Sequence, residues 1–549
     1  MRARYHFPIG LTAFLLTSTA FAGNCAFAAS CDSLTNLRLP GTTITMAQPE
    51  AAGAFTPPKS ATGTKPVPVA FCRVGGIIRP TSDSDIEFEV WLPQAAAWTG
   101  RYESVGNGGF AGSIPFGAMV RPLTAGSAVA GTDDGHSTSV NTSAEWALGH
   151  PEKVIDFAYR AVHLTATVSK LITSAYYGSK PKYSYFIGCS TGGREALTAA
   201  QRYPNDFDGI AAGDPANQWS EQHSGDAANM KAFLASEAGY ISQTELQKIG
   251  DLIVDQCDGT DGVKDGLISD PRQCRIDLAS LPLTPAQLKT YQALHDGPKT
   301  SAGKQIFPGM PFGSENVGWA QYFAGPDFAE AHTKARRAVM ANETFANLVY
   351  HDPKWDFMNF DPDKSPADLK KALHGIMDAT DPHFTGFKAH GGKLISYHGW
   401  ADSDISPFAT VGYYNRVVTA QERNGGKTTT IDDHHPSANA WNKTQAFYRL
   451  FMVPGMGHCG GGPGPNQFGQ TGGDGDADHD VVVALEQWVE KGLAPERVIA
   501  TKYVENDRTK GVAMTRPLCV FPNAAKYVGS GDTNDASNFI CADAATVKK

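Results

Sequence analysis

Apolar and polar positions along the chain fall into stretches of different rhythm. "IEFEVWLP" (86–93) alternates with the period of a strand. "RYESVGNGGFAG" (101–112) reads as a strand running into a glycine-rich loop, and "GSAVAGTDDGH" (126–136) as a buried strand ending in a polar turn. "PEKVIDFAYRAVHLTATVSKLITSAYY" (151–177) has proline at its start and apolar residues at helical spacing, which predicts one long helix. "YSYFI" (183–187) is the next strand and "GGREALTAAQRYP" the helix after it. This alternation predicts a parallel sheet with helices on both faces. It stops at "GDPANQWSEQHSG" (213–225), and from there to about 388 the chain reads as helices and loops. Sheet character returns at "GGKLISYHGWADSDI" (391–405), continues through "FATVGYYNRVVTAQERN" and "FYRLFMVPGMGHC" (447–459), and closes with the helix "DVVVALEQWVEKG" and the strand "RVIATKYV". The expected organisation is one sheet domain, 30–216 and 389–549, interrupted by an inserted lid domain, 217–388.

Between the strand "YSYFI" and its following helix lies Gly188-Cys189-Ser190-Thr191-Gly192. Gly-x-Ser-x-Gly at a strand-to-helix turn is the nucleophile elbow of an α/β-hydrolase. The turn crowds the backbone, so Gly188, Gly192 and Gly193 supply the space that side chains would fill. It raises the Ser190 hydroxyl above the sheet and aims the Thr191 N–H at a developing oxyanion. The plainer alternative is an ordinary β–α turn that happens to hold a serine.

In this fold the acid follows the serine and the histidine comes last. "LISYHGWADSDISP" places Asp402 just beyond a strand end, where it receives an imidazole N–H. Asp404 is the alternative, although capping of the next helix suits it better. His458, in the glycine-rich loop of "VPGMGHCGGG", is the expected base. His434 and His435 in "IDDHHPSAN" resemble metal ligands but read better as a polar turn. The second oxyanion donor is expected from "VGNGGFAG", with Gly108, Gly109 and Gly112 all open.

The first residues change how the cysteines are read. Arg2 and Arg4 precede an apolar run that ends in small residues, the pattern of a signal peptide over 1–29. Cleavage near Ala28–Ala29 removes Cys25 and leaves eight of the nine cysteines; cleavage after Ala22 keeps all nine. An even count suits an oxidising compartment, so the protein is expected to be secreted or periplasmic. A net charge of −9 without a basic stripe argues against nucleic-acid and anionic-membrane partners. If Ser190 and His458 meet, Cys189 and Cys459 beside them are brought close as well, and a disulfide between them is the expected outcome.

The Cys-Ser … Asp … His-Cys arrangement resembles the tannase and feruloyl esterase family, which includes a mono(2-hydroxyethyl) terephthalate hydrolase branch. The resemblance rests on "FCRVGG", "GNGGFAG", "DFAYRAVH", "GCSTGGREAL", "YPNDFDGIAAGDPA", "HGWAD" and "VPGMGHC", spread over essentially the whole mature chain. It implies a serine esterase acting on aromatic-acid esters beneath a lid. It also implies the pairs Cys31–Cys72, Cys257–Cys274 and Cys519–Cys541 beside Cys189–Cys459.

"CDGTDGVKDGLISDPRQC" (257–274) crowds Asp258, Asp261 and Asp265 among glycines, which suits Ca²⁺ as well as a solvated acidic turn. The resemblance implies a structural Ca²⁺ held by these carboxylates and by the carbonyls of Val263 and Leu267. The lid aromatics in "VGWAQYF" and "KWDFMNF" suit an aromatic ring, but each suits the lid core better. The expected function is hydrolysis of a small aromatic ester through an acyl-enzyme, with no organic cofactor. An acyltransferase or peptidase uses the same residues, and a non-catalytic polyphenol- or carbohydrate-binding protein is the rival from another class.

Overall fold

The computed structural model describes residues 29–58, 65–422, 436–470 and 475–543. The proposed signal segment apart from Ala29, with Cys25, and His434 and His435 therefore lie outside the described residues. Nine strands form the main sheet: β1 (Thr42–Glu50), β2 (Phe71–Ile78), β3 (Ile86–Pro93), β4 (Arg101–Val105), β5 (Ala128–Thr132), β6 (Tyr183–Cys189), β7 (Gly209–Gly213), β8 (Lys393–Gly399) and β9 (Tyr448–Val453). Their order is β1-β2-β3-β5-β4-β6-β7-β8-β9. Strands β1, β2, β3 and β5 pair antiparallel, and from β5 to β9 every pair is parallel. This is the mostly parallel α/β-hydrolase sheet.

The parallel strands are apolar on both sides because both sides are covered. Along β8, Leu394 joins a core built with the helices Ala161–Tyr177, Thr191–Arg202 and Pro407–Glu422, while Ile395 and Tyr397 join the core of the helix Val481–Lys491. The strand predicted at 497–504 does not join this sheet. It is β10 (Arg497–Tyr503), paired antiparallel with β11 (Val512–Cys519) in a separate ribbon. β12 (Asn523–Tyr527) and β13 (Phe539–Asp543) form another.

The helix predicted over 151–177 is interrupted by a wider π turn at Asp156–Arg160. The carbonyls of Phe157 and Ala158 in that turn accept from the buried Arg194 guanidinium at 3.0 and 2.6 Å. A π turn frees carbonyls for such outside donors. Between β7 and β8 the described residues form helices and turns around a core that includes Phe233, Ile249, Trp319, Phe323 and Phe357. Trp319, Phe323 and Phe357 are fully buried, which places these aromatics from the two clusters in the core of this segment.

All four disulfides are present: Cys31–Cys72, Cys189–Cys459, Cys257–Cys274 and Cys519–Cys541.

Candidate active site

Sheet register gathers the chemistry. Cys189 pairs with Gly213, Gly213 with Tyr397, and Gly399 with Val453, so β6 to β9 end at one edge. The residues just beyond those ends are Ser190, Asp214, Asp402 and His458. Open parallel sheets bind ligands at this edge.

Ser190 has φ 64° and ψ −122°, a conformation that L-residues seldom adopt. Neighbouring glycines make it possible. A Cβ on Gly188 would lie 2.5 Å from the Gly192 carbonyl oxygen, and one on Gly193 would lie 2.4 Å from the Gly213 carbonyl oxygen. The Ser190 N–H is held by the Gly213 carbonyl at 3.0 Å. Thr191 opens the helix Thr191–Arg202, so its N–H has no partner within the helix.

Asp402 is fully buried. Its Oδ1 accepts the N–H groups of Asp404 and Ile405 at 2.7 and 3.0 Å, and its Oδ2 meets His458 Nδ1 at 2.8 Å. Burial alone would raise the Asp402 pKa. The charge of His458 and the bonds from His398 and His458 outweigh it and hold the carboxyl well below the usual carboxylate range. For His458, burial works downward, but Asp402, Asp404 and Asp214 together raise the imidazole to about 9. Asp404 lies 3.5 Å from the other ring nitrogen, Nε2. Among the described residues no backbone N–H caps onto its carboxylate, so it faces the histidine instead of closing the next helix.

Two buried groups that the sequence reading passed over complete this network. His398 Nε2 lies 3.2 Å from Asp402 and 3.6 Å from Asp214, while its Nδ1 meets Thr410 Oγ1 at 2.8 Å. Asp214 accepts the Gly399 N–H at 2.9 Å, and burial in particular pushes its pKa up to about 7. His398 stands in the "HGWAD" that supplied Asp402, and Asp214 follows a strand as Asp402 does. Strand-end position was the available signal. The acid loop is also clamped from the insertion: Arg337 donates to the Ser403 carbonyl at 3.1 Å, and Ser403 Oγ donates to the Ser314 carbonyl at 3.0 Å.

The oxyanion candidates separate. The Gly112 N–H donates to the Asp133 carbonyl at 3.1 Å, so it is already committed and is withdrawn as an oxyanion donor. At Gly109, φ is 61° and a Cβ would lie 2.3 Å from the Asn141 carbonyl oxygen, so only glycine fits. The Gly108 carbonyl turns back to accept the Ala111 N–H at 3.0 Å, which leaves the Gly109 N–H of the same peptide facing the other way. Gly109, Ser190 and Thr191 line one small cavity with Trp219, Met340 and Asp404.

The loop 257–274 lies closer to this machinery than its place in the chain suggested. Leu267 packs against Gly455 in the histidine loop, and the Arg272 guanidinium sits 5.1 Å above the Trp400 ring beside the acid.

The family described as tannase and feruloyl esterase matches residues 72–542. An uncharacterized esterase of Xanthomonas campestris pv. campestris is 41% identical, covering 97% of this chain and 95% of that protein. A probable feruloyl esterase B-2 of Aspergillus terreus is 32% identical, covering 96% of this chain and 97% of that protein. The crystal structure of feruloyl esterase B from Aspergillus oryzae superposes with a TM-score of 0.81 at 27% identity, covering 93% of this chain and 99% of that one. The chain belongs to the tannase and feruloyl esterase family and is a carboxylic ester hydrolase.

Proposed function

We propose that this esterase is a secreted serine enzyme that hydrolyses esters of aromatic acids through an acyl-enzyme on Ser190. The observation that carries the reading is the strained Ser190 at the edge where the ionised Asp402 holds His458 Nδ1 at 2.8 Å. His458 Nε2 removes the Ser190 proton as Oγ attacks the ester carbonyl. The Thr191 and Gly109 N–H groups receive the oxyanion. Collapse returns the proton from His458 to the leaving alcohol, and His458 then takes a proton from the water that frees the acid. Asp402 keeps its charge throughout and fixes the imidazole tautomer.

The relatives named as feruloyl esterases support an aromatic acyl group, as do the walls of Trp219 and Met340. The cavity beside Ser190 measures about 20 Å³, room for a water but not for a ring. In this reading the segment 217–388 acts as a lid, and its wall residues shift when substrate enters. Four disulfides support an oxidising compartment.

Calcium belongs to the same proposal. Asp258 accepts three backbone N–H bonds, Asp261 accepts Val263 N–H and Ser269 Oγ, and Asp265 accepts Leu267 N–H and Arg516. Each ionised carboxylate has about four lone-pair sites, so all three retain acceptor capacity, and the donors are the hard oxygens that Ca²⁺ prefers. Among the described residues these carboxylates do not gather on one point, so binding requires the loop to tighten. Asp258, Asp261, Asp265 and the carbonyls of Val263 and Leu267 would hold the ion, which supplies a structural charge. Removing it with a chelator should lower Tm; an unchanged melt with no metal in the purified protein would reject it.

The functional test is a panel of ferulate, gallate, terephthalate and simple aliphatic esters. The reading expects aromatic esters to give the highest kcat/KM and Ser190→Ala to be inactive. Preference for the aliphatic esters rejects the substrate class, and an active Ser190→Ala rejects the mechanism.

A further inference from the structure

A second acidic cluster lies on the other side of the elbow from the triad. Asp134, at the end of β5, is fully buried, and among the described residues neither of its carboxylate oxygens meets an N–H or other ordinary donor. Glu195, on the turn of helix that follows Ser190, is 2% exposed. Its Oε2 accepts the Asn107 N–H at 3.1 Å, and its Oε1 is without an ordinary donor as well. Glu195 acts on Asp134 both as a like charge and as a side-chain hydrogen-bonding neighbour. Two buried carboxylates in contact repel unless one carries a proton that both share. Burial, followed by the charge of Glu195, pushes Asp134 well above the usual carboxylate range.

The surrounding charges give the same count. The buried Arg194 faces the pair, while Asp133, the acidic neighbour along the loop, is engaged by the N–H groups of Glu87 and Gly135. One guanidinium and two carboxyls with a single proton sum to zero, which suits a dry site.

The pair lies directly behind the loop 106–109. Gly106 touches the elbow so closely that a Cβ would lie 2.7 Å from Gly192 Cα and 3.1 Å from Glu195 Oε2. Asn107 is held three ways: its N–H by Glu195, its carbonyl by the Gly192 N–H at 2.8 Å, and its Nδ2 by the Thr132 carbonyl at 2.9 Å. Two residues on, the Gly109 carbonyl accepts from Thr191 Oγ1 at 2.6 Å. The Glu195 contact thus fixes the start of the strand of backbone that ends in the Gly109 N–H.

We infer that Glu195 and Asp134 form a proton-sharing carboxyl pair that positions the oxyanion loop, with Glu195 accepting the Asn107 N–H and protonated Asp134 donating to Glu195. Both are positioning residues: they act on the reaction through the Gly109 N–H and touch no substrate. The inference rests on the serine-esterase reading above. It explains why an acidic side chain stands buried at 195 in the helix: its Oε2 anchors a neighbouring loop, and its charge balances Arg194.

The test combines kinetics with infrared spectroscopy. Glu195→Ala leaves the Asn107 N–H without its acceptor, and kcat should fall about ten-fold or more with KM changed less than about two-fold, the signature of an interaction lost mainly in the transition state. Glu195→Gln still accepts from Asn107 and donates to an ionised Asp134, so it should recover most of that loss. At neutral pH the wild-type minus Asp134→Asn infrared spectrum should contain a carboxylic-acid C=O band. Where Glu195→Ala does not fold, the Glu195→Gln rescue and the infrared difference still decide. A wild-type kcat in Glu195→Ala, no recovery in Glu195→Gln, or a difference spectrum showing only carboxylate overturns the inference. Ser190→Ala is measured beside them: if it is active, the reading of the site fails; if it is inactive while Glu195→Ala keeps full kcat, only the positioning pair fails.

Discussion

Asp402 and Asp134 stand on opposite sides of Ser190, each just past the end of a sheet strand and each fully buried. Asp402 receives two backbone N–H groups and faces two histidines, and it stays ionised. Asp134 faces another carboxyl, and burial together with that charge pushes its pKa well above the usual carboxylate range. Burial is common to both, so burial does not choose the charge state; the donors within reach do. The difference also divides the labour. In the proposed mechanism the ionised acid supports a positive charge that comes and goes on His458, and in the inferred pair the protonated one supports a loop that must stay still.

The same amide substitution at both positions separates the two roles most strongly. Asp402→Asn should cost about 10⁴ in kcat, because an amide cannot support the imidazolium or hold its tautomer. Asp134→Asn should cost at most about ten-fold, or about 1.4 kcal/mol of barrier, because the amide N–H can replace the shared proton toward Glu195. Equal losses in steady-state kinetics would erase the distinction.

The disulfide side comes next in size. Cys189–Cys459 closes 270 residues and Cys257–Cys274 closes 17. A chain-entropy treatment gives roughly 5–6 kcal/mol for the first and about 3 kcal/mol for the second. Cys189→Ala/Cys459→Ala should therefore lower Tm more than Cys257→Ala/Cys274→Ala. It should also lower kcat at temperatures where the fold survives, since its sulfurs adjoin Ser190 and His458. A double variant with full kcat and reduced Tm would confine this bridge to stability.

The smallest effect is on pH dependence. His458 in the free enzyme is raised to about 9, and in the proposed mechanism its neutral form is the base, so kcat/KM should rise as pH climbs toward that value. Asp404 is one cause of the rise and lies against Nε2. Removing its charge in Asp404→Asn favours the neutral ring, so the midpoint of kcat/KM should move to lower pH. A midpoint that stays put would show that Asp404 does not act on the base.

Much of this edge was legible in the chain. The elbow, its glycines and the order Ser190, Asp402, His458 follow from strand ends and turn chemistry, which are local. The Cys189–Cys459 bridge was legible because each cysteine adjoins a residue that the mechanism brings together. Partners set by sheet order were not legible. Asp214 and His398 come together with Asp402 and His458 only because β7 and β8 lie side by side, and Asp134 comes near Glu195 only because β5 and β6 flank β4. Gly109 could not be told from Gly112 until the Asp133 carbonyl was seen to occupy the Gly112 N–H. The strand 497–503 was legible as a strand, but nothing in its alternation reveals that it pairs with 512–519 in a separate ribbon.

The most direct test of the central claim is covalent. An aryl phosphonate ester that mimics the tetrahedral intermediate should react with one serine, and peptide mass spectrometry should place the adduct on Ser190. Labelling should vanish in Ser190→Ala and slow by orders of magnitude in Asp402→Asn. An adduct on another residue, or unchanged ester hydrolysis by Ser190→Ala, would contradict the account.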